Sequence, residues 1–342
     1  MVITEMGDYG HEQVTYISDP EVGLEAIVAI HDTTLGPSLG GTRLRPYPSE
    51  EAALTDVLRL SQAMTYKAAA AHLDLGGGKA VIIADPSDKT DEMMRAYGRG
   101  VDWLGGRYIT SVDMNTGVED MEVIAEATDH VVGREDGLGD PSPVTATGVF
   151  SGIKACCEAT YGTESLDGRS FVIQGIGKVG RDLATSLAEA GASVTVSDID
   201  ADKVATFADT HGLDTVGPDA VYDEPCDVFA PCAIGGVLND DTIPRLACDI
   251  VAGGANNVLE DRSHATDLME RGILYAPDYV INGGGLITVA TEAKNGTMAD
   301  AIEQAEAIGD RLAKMIKSAE EESITVLEAA DRYAMARIEQ AE

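Results

Sequence analysis

Two lysines twelve residues apart, Lys67 and Lys79, are the residues of this chain best suited to chemistry. The chain is poor in lysine, with 9 Lys against 15 Arg. Lys79 directly follows three glycines, Gly76-Gly77-Gly78, and precedes the apolar run 80–84. Most lysines are solvated surface charges. A lysine held against an apolar strand instead loses hydration, which favours its neutral form and makes it available as a base or nucleophile near neutral pH. We therefore expect Lys79 to be catalytic.

The flanking residues predict the elements that hold these groups. Ser49 and the two glutamates after it are typical of a helix N-terminus, and apolar residues then recur at helical spacing, so a helix ends near Lys67. The run 80–84 predicts a buried strand, and 108–112 predicts a short strand that ends at Asp113. Catalytic groups of α/β folds commonly lie at such strand ends.

A glycine-rich turn in the second half predicts a dinucleotide site. The apolar strand 171–174 enters Gly175-Ile176-Gly177-Lys178-Val179-Gly180, a helix follows over 178–190, and the strand 194–197 ends at Asp198. In this pattern Gly175 makes the tight turn, Gly177 admits the pyrophosphate, Gly180 allows close packing, and the helix N-terminus faces the phosphates.

The acid that follows the turn predicts the choice of dinucleotide. Asp198 lies 23 residues after Gly175, near the interval of about 20 at which an acid binds the adenosine ribose. A carboxylate there accepts hydrogen bonds from the ribose and repels a 2′-phosphate, which favours NAD over NADP. Asp200 is an alternative for the same role.

The rest of the chain predicts loops and strands that line the cofactor crevice. Further elements predicted from the pattern are a loop over 133–143, helices over 91–104, 146–160, 298–322 and 326–342, and strands over 227–230, 250–253 and 279–281. We expect the loops after these three strands, 231–233, 254–257 and 282–285, to lie at the carboxyl ends of a parallel sheet.

Composition limits the partners and the solvent. The formal net charge is −35, from 59 acidic and 24 basic residues, which argues against nucleic acid and anionic membranes as partners. Scattered acids with scarce lysine resemble proteins of salt-loving organisms. The five cysteines have an odd number and no metal spacing, so we expect reduced thiols, no metal site and a cytoplasmic protein. No apolar run reaches membrane-spanning length.

Several blocks in one order resemble the amino-acid dehydrogenases of the glutamate, leucine, phenylalanine and valine type, most closely the leucine and phenylalanine members. The matching blocks are 39–43 (Leu-Gly-Gly-Thr-Arg), 64–67 (Met-Thr-Tyr-Lys), 76–79 (Gly-Gly-Gly-Lys), Asp113, 141–145 (Pro-Ser-Pro-Val-Thr), 174–180, 230–233 (Ala-Pro-Cys-Ala) and 276–282. The resemblance implies two α/β domains with a cleft between them: a catalytic and oligomerisation domain over 1–139, with the helix 323–342 packed back on it, and a doubly wound NAD-binding Rossmann domain over 140–322.

The resemblance also implies the reaction. The family oxidises an L-amino acid with NAD to an imino acid, which takes up water and releases ammonia to leave the 2-oxo acid. Lys67 would bind the substrate carboxylate, Lys79 would polarise the water and the carbonyl, and Asp113 would carry the proton of the amino group. The residues expected to contact substrate are Lys67, Leu39, Gly40, Gly41, Met64, Ser111, Asn257, Leu286 and Val289, and those expected to contact NAD are Thr145, Gly175, Gly177, Lys178, Val179, Gly180, Asp198, Cys232, Ala233 and Asn282.

The pocket residues favour an apolar substrate. Glutamate-specific members have Lys where this chain has Leu39, and a hydroxyl where it has Val289. A buried substrate carboxylate would then be unpaired at a cost of several kcal/mol. Ser111 narrows the pocket and favours leucine, valine or isoleucine, whereas Leu286 is typical of phenylalanine enzymes. We expect branched aliphatic substrates, with phenylalanine and glutamate as alternatives.

Two other classes fit less well. A 2-hydroxy-acid dehydrogenase needs a histidine beside an arginine, and the six histidines show no such motif; most are expected at the surface or at caps. A non-catalytic NAD-binding regulator would have no use for Lys67, Lys79 and Asp113 together. We expect a homo-oligomeric enzyme whose partners are the amino acid, the 2-oxo acid and ammonia.

The charge predicts that stability depends on salt. At 0.01 M salt the Debye length is about 30 Å, against about 3 Å at 1 M, so repulsion among the carboxylates of a chain of charge −35 is long-ranged only in dilute buffer. The thermal midpoint should therefore rise with KCl between these concentrations. An unchanged midpoint would contradict the interpretation of the charge.

Overall fold

The computed structural model describes residues 2–341 and divides into two units by its internal contacts. The first unit comprises the described residues of 1–139, 288–297 and 334–342, and the second comprises 140–287 and 298–333. The domain bounds expected from sequence, 1–139 with 323–342 and 140–322, stay a prediction; in this division one break follows Gly139, and residues 323–333 belong to the second unit. Helix α10, residues Gly284–Ala293, contributes to both units.

The first unit is built on a five-stranded mixed sheet in the order β1-β2-β4-β3-β5. Its strands are β1 Gln13–Asp19, β2 Leu24–Asp32, β3 Ser38–Arg45, β4 Gly76–Ile83 and β5 Tyr108–Val112, and its helices before residue 139 are α1 Val2–Tyr9, α2 Glu50–Ala70, α3 Asp91–Asp102 and α4 Val118–Ala125. Both faces of the sheet are covered. Ile27 and Ala29 face α2, whereas Ala26 and Val28 lie in the core formed with α3 and α4. The sheet centre therefore excludes water from both sides.

Helix α2 begins and ends where the sequence predicts. The Ser49 side chain accepts a hydrogen bond from the backbone N–H of Ala52 at 3.1 Å, and Lys67 lies in the last turn. Strand β5 ends at Val112, so Asp113 follows it directly. Both expectations are confirmed. They rest on local signals, a side-chain cap and a short run of β-prone residues, which do not depend on distant partners.

Strand β4 begins earlier than the sequence predicts. The expected strand started at Ala80, but the three glycines and Lys79 are strand residues, paired with β2 and β3 on either side. Glycine disfavours strands, and its presence here has a packing reason. A Cβ atom on Gly77 would lie 2.1 Å from Thr65 Oγ1, and one on Gly78 would lie 2.7 Å from the Tyr108 ring.

The second unit contains a six-stranded parallel sheet in the order β11-β10-β9-β6-β7-β8. Its strands are β6 Ser170–Gln174, β7 Ser193–Ser197, β8 Asp214–Thr215, β9 Val228–Pro231, β10 Ile250–Val251 and β11 Leu274–Tyr275, and the helices after residue 139 other than α10 are α5 Ser142–Tyr161, α6 Lys178–Glu189, α7 Ala201–His211, α8 His264–Glu270, α9 Asp278–Ile281, α11 Met298–Glu306, α12 Ile308–Glu322 and α13 Val326–Glu339. This is the Rossmann strand order. Strands β6 to β8 are added toward one edge of the sheet and β9 to β11 toward the other, so the strand order reverses between β6 and β9. The expected α/β fold with a doubly wound parallel sheet is confirmed.

One predicted element of the second unit was wrong, and two helices have different bounds from those predicted. Residues 279–281 form part of the short helix α9 and not a strand; the edge strand is β11, whose Leu274 and Tyr275 pair with β10. A short apolar run has no periodicity that separates helix from strand, and pairing decided the outcome. The helix predicted over 298–322 is broken at Ala307, and α5 begins at Ser142, four residues before the predicted 146.

The histidines and cysteines complete the comparison with the sequence. Most histidines were expected at the surface or at caps; His11 is instead buried and packs edge to face against the half-buried His31, and burial lowers the pKa of His11 to about 4. All five cysteines are free thiols, as predicted. The sequence predicted no metal site; one ligand atom each of Asp240, His264 and Asp267 lies within 4.8 Å of the others, although His264 Nδ1 already accepts the Asp261 N–H. Among residues 2–341, no helix combines the length and hydrophobicity needed to cross a bilayer.

Candidate active site

Lys79 and Asp113 meet in the first unit. Lys79 Nζ lies 3.1 Å from Asp113 Oδ2, and the lysine side chain is only 8% exposed. The backbone N–H of Asp113 donates to Thr116 Oγ1, whose hydroxyl donates to the carbonyl of Thr42 on β3. The end of β5 is thereby tied to its neighbouring strand, which holds the Asp113 carboxylate in place against Lys79.

A second cation, Arg43 on β3, contacts the same carboxylate oxygen. Arg43 Nε donates to Asp113 Oδ2 at 3.0 Å, and its Nη1 donates to Asp56 Oδ2 on α2 at 3.1 Å. Asp56 also accepts the Tyr47 hydroxyl at 2.8 Å. The sequence assigned Arg43 no role, although it ends the block Leu-Gly-Gly-Thr-Arg. That a strand residue reaches both an aspartate 70 positions later and one 13 positions later is a tertiary fact that no local pattern indicates.

Burial and charge act on the two reactive groups in different ways. Burial lowers the pKa of Lys79 below its ordinary value, and this outweighs the opposing attraction of Asp113, while the Arg43 charge lowers that pKa further. Burial by itself raises the pKa of Asp113, but the charges of Lys79 and Arg43 outweigh it, so the carboxyl pKa lies below its usual range. Asp113 is therefore a carboxylate at neutral pH, and Lys79 loses its proton more readily than an exposed lysine.

Two glycines of β3 allow this close approach. A Cβ atom on Gly40 would lie 1.8 Å from the carbonyl oxygen of Gly78 on β4. One on Gly41 would lie 2.3 Å from the carbonyl oxygen of Val112 and 2.8 Å from Asp113 Cβ. Both glycines were expected to contact substrate. Whatever they contact there, the structure gives them a steric role in bringing β3 to the strands that bear Lys79 and Asp113.

The remaining expected substrate residues are distributed over both units. In the first unit, Leu39 lies on β3, Met64 and Lys67 on α2, Ser111 on β5 and Val289 on α10; in the second, Leu286 lies on α10 and Asn257 follows β10. Leu39 and Ser111 are buried, with 1% and 4% of their surface exposed, whereas Asn257 is exposed in a left-handed conformation. Lys67 is half-buried two residues beyond Thr65, whose Oγ1 would lie 2.1 Å from a Cβ atom on Gly77 of β4.

The glycine turn of the second unit fits a dinucleotide. Gly175 has a φ of +97°, and a Cβ on Gly180 would lie 2.0 Å from the Gly175 carbonyl oxygen, so the strand, turn and helix approach as the motif requires. A Cβ on Gly177 would meet nothing within 4 Å, which leaves open space at the N-terminus of α6. The first N–H groups of this 12-residue helix face that space and form a place for phosphate.

The two acids after β7 have different environments. Asp198 Oδ2 accepts the backbone N–H of Ile176 in the glycine turn at 2.9 Å. Burial alone raises the pKa of Asp198, but hydrogen bonds from the backbone of Ile176 and Asp200 and the charge of Lys203 lower it overall. Asp200 instead caps α7, since its side chain accepts the backbone N–H of Lys203. The geometry favours Asp198 as the acid beside the turn.

Other residues expected to contact NAD gather around the turn. A Cβ on Gly175 would lie 2.7 Å from Ala233 Cβ, and the Cys232 N–H donates to the carbonyl of Gln174 at 2.7 Å. A Cβ on Gly254, after β10, would lie 2.7 Å from Val179 Cγ1.

Three further residues of this set are anchored within the second unit. The Asn282 side chain donates to the carbonyl of Ala255 at 3.1 Å. A Cβ on Gly284 would lie 2.5 Å from Thr145 Cα, so the two backbones are close. Lys178 is exposed and pairs with Asp140 at 2.8 Å. Asn282 thus ends a helix, α9, and does not follow a strand as the sequence predicted.

The chain is similar to known proteins over nearly its whole length. Residues 11–130 match the model of the Glu/Leu/Phe/Val dehydrogenase dimerisation domain, and residues 200–342 match that of the glutamate/leucine/phenylalanine/valine dehydrogenases. The chain is 47% identical over 338 residues to leucine dehydrogenase of Bacillus subtilis, covering 98% of this chain and 93% of the relative. It is also 47% identical over 332 residues to L-tryptophan dehydrogenase of Nostoc punctiforme, covering 97% and 94%.

Solved structures show the same architecture. The crystal structure of L-tryptophan dehydrogenase from Nostoc punctiforme superposes with a TM-score of 0.92 at 45% identity, covering 100% of this chain and 99% of that one. Hetero-hexameric glutamate dehydrogenase from Thermus thermophilus superposes with a TM-score of 0.78 at 22% identity, covering 97% and 89%, which shows a shared fold alone. These relatives do not bear out the expectation of a salt-loving source, which rests on composition.

Replacing Gly41 by alanine should separate β3 from the end of β5. The added methyl would lie 2.3 Å from the backbone oxygen of Val112, which cannot move by a side-chain rotation. The strands must therefore shift, and we expect Asp113 to move away from Lys79. We expect Gly41→Ala to lower the free energy of unfolding in guanidinium chloride by about 1–3 kcal/mol. The matched control is Gly217→Ala, where a Cβ would meet nothing within 4 Å. Equal stability of the two variants would contradict the steric argument.

Proposed function

The chain belongs to the Glu/Leu/Phe/Val dehydrogenase family, and we propose that it catalyses the NAD-dependent, reversible oxidative deamination of apolar L-amino acids to 2-oxo acids and ammonia. The observation that carries this proposal is the buried contact between Lys79 and Asp113 at 3.1 Å. The pair combines two functions. The lysine, whose pKa is lowered, can donate a hydrogen bond to an oxygen, and the ionised carboxylate can accept a proton from an amine.

Each residue has a distinct part in this proposal. Asp113 accepts a proton from the substrate ammonium, because a free amine must form before the C–N bond can gain double-bond character. Lys79 orients and polarises the attacking water and then hydrogen-bonds to the oxygen that becomes the carbonyl. Lys67 binds the substrate carboxylate with its ammonium. Bound NAD supplies the acceptor for the hydride of the α-carbon.

The glycine turn and Asp198 support NAD as the preferred dinucleotide. Gly175, Gly177 and Gly180 would hold the pyrophosphate at the N-terminus of α6, and Asp198 would accept hydrogen bonds from the adenosine ribose. Because backbone hydrogen bonds keep the Asp198 pKa low, its negative charge would repel the 2′-phosphate of NADP.

We propose branched aliphatic amino acids as the favoured substrates. Leu39 and Val289 offer no partner for the side-chain carboxylate of glutamate, so that substrate would lose a charge-assisted hydrogen bond on binding. Ser111, on β5 two residues before Asp113, adds bulk where glycine would leave space. Relatives with similar identity are named for leucine, tryptophan and phenylalanine, so family membership alone does not select among apolar side chains.

We also propose that the protein assembles as a homo-oligomer. The family model that matches residues 11–130 is described as a dimerisation domain. A cytoplasmic location stays a prediction, and it rests on the reduced state of the five cysteines.

The proposed reaction is tested by NADH formation with a panel of L-amino acids. Leucine, valine and isoleucine should give a higher kcat/KM than phenylalanine, and glutamate should be the poorest substrate. Ser111→Gly should shift the preference toward phenylalanine by roughly 1–3 kcal/mol, the value of a few methylene contacts in an apolar pocket.

The control for this panel is Lys79→Ala, which should bind NADH normally but lose at least about 10²-fold in turnover. Absence of NADH formation with every amino acid would contradict the proposed function. A wild-type preference for phenylalanine would instead show that Leu286 governs the pocket.

The cofactor assignment separates the two acids after β7. Asp198→Ser, combined with a basic residue at position 199, should reduce the preference for NAD over NADP. The matched control is Asp200→Ser, because serine also caps a helix and should leave the ratio of kcat/KM for the two dinucleotides unchanged. A larger change in that ratio for Asp200→Ser would assign the ribose to Asp200.

A further inference from the structure

Two cations contact the same oxygen of Asp113. Lys79 Nζ lies 3.1 Å from Oδ2, and Arg43 Nε donates to the same Oδ2 at 3.0 Å. A carboxylate has two oxygens and about four lone pairs, so this arrangement loads one oxygen and leaves the acceptor capacity of the other available. We propose that Arg43 is a positioning residue for the deamination: it holds Asp113 by Oδ2 so that Oδ1 receives the proton of the substrate amine.

Arg43 is itself held from a different element. Its Nη1 donates to Asp56 Oδ2 on α2 at 3.1 Å, and that oxygen also accepts the Tyr47 hydroxyl at 2.8 Å. Arg59 contacts the other oxygen, Asp56 Oδ1, at 3.4 Å. The guanidinium side chain is only 17% exposed. The rigid fork of an arginine can bond two carboxylates at fixed angles, which a lysine cannot do. Asp56 thus fixes the guanidinium, and the guanidinium fixes Asp113.

Arg43 also sets the balance between the two reactive groups. Its positive charge lowers the pKa of Asp113 and, by repulsion, that of Lys79. With Arg43 present, Lys79 is not the sole counter-ion of Asp113 and can lose its proton without leaving an uncompensated buried carboxylate. Arg43 therefore acts on Asp113 and Lys79 without itself contacting the reacting atoms of the substrate.

The other titratable groups on α2, β2 and β5 do not replace the effect of the Arg43 charge on the pKa values of Asp113 and Lys79. From α2 come Asp56 and Arg59, which pair with each other, and Lys67, assigned to the substrate carboxylate. From β2, His31 bonds Thr65 and has a pKa lowered mainly by burial, so it is neutral at pH 7. From β5, the Tyr108 hydroxyl donates to the carbonyl of Gly40.

The inference rests on the proposed function and is tested by the pH profile of kcat/KM for leucine oxidation. Removing the positive charge in Arg43→Gln raises the pKa of both Asp113 and Lys79, so the acid limb should move to higher pH by about one unit or more whichever group sets it. The maximal kcat/KM should fall on the order of 10²-fold, because Asp113 is no longer held in register with the amine. Arg43→Lys keeps the charge but loses the second bond, so its acid limb should stay in place while its rate falls.

The matched control is Arg99→Gln, which removes the same charge from an exposed pair with Asp19 and should shift neither the limb nor the rate. An unshifted acid limb in Arg43→Gln, with lost thermal stability alone, would show a merely structural residue and overturn the inference. If Arg43→Gln does not fold, the separation of rate from pH limb in Arg43→Lys decides the matter.

A readout without turnover separates this inference from the proposed function. The ¹³C carboxyl resonance that disappears in Asp113→Asn reports the pKa of Asp113 in the intact protein. That pKa should rise in Arg43→Gln and stay low in Arg99→Gln. If the wild type oxidises no amino acid while the pKa shifts as described, the proposed function fails and only the electrostatic coupling of Arg43 to Asp113 stands. An active wild type with an unshifted pKa keeps the proposed function and overturns the inference.

Discussion

The cost of placing charge inside the first unit governs the structure around it. Removing an ion from water costs several kcal/mol even in a relaxed protein, and the pKa of a single buried charged group shifts so that the neutral form is favoured. Lys79 and Asp113 share this cost, and Arg43 and Asp56 extend the pairing toward α2. The result is a row of alternating charges in which Asp113 and Arg43 each have two partners of opposite charge. Residues remote from the reacting atoms are therefore constrained by the same electrostatics as the catalytic groups.

Glycine makes this arrangement sterically possible. The row requires β3, β4 and β5 to approach so closely that side chains on Gly40, Gly41 and Gly78 would collide with neighbouring backbone or with the Tyr108 ring. Glycine is unfavourable within strands because it loses more conformational entropy and packs no side chain. Strand pairing on both sides of β4 offsets that weakness. The glycines thus lower the local strand propensity but allow the charged side chains to come into contact.

The second unit controls charge by a different device. At Asp198 the ionised form is stabilised by the backbone N–H groups of Ile176, in the glycine turn, and of Asp200, rather than mainly by a cationic side chain. The helix that follows presents further N–H groups to open space at Gly177. Backbone donors suit a phosphate and a ribose, whose recognition needs direction and close approach. Side-chain cations suit the proton transfers proposed for the first unit, because their own protonation can change.

Local signals in the sequence determined much of this protein. The cap at Ser49, the strand that ends at Asp113, the strand, turn and helix around Gly175 and the candidates Lys79 and Asp198 depend on residues near one another in the chain. Tertiary structure alone decided which apolar run became the edge strand, why the glycines before Lys79 lie within a strand, and that Arg43 reaches both Asp56 and Asp113. The physical reason is range: caps and turns are satisfied within a few residues, whereas strand pairing and the compensation of buried charge depend on partners that only folding brings together.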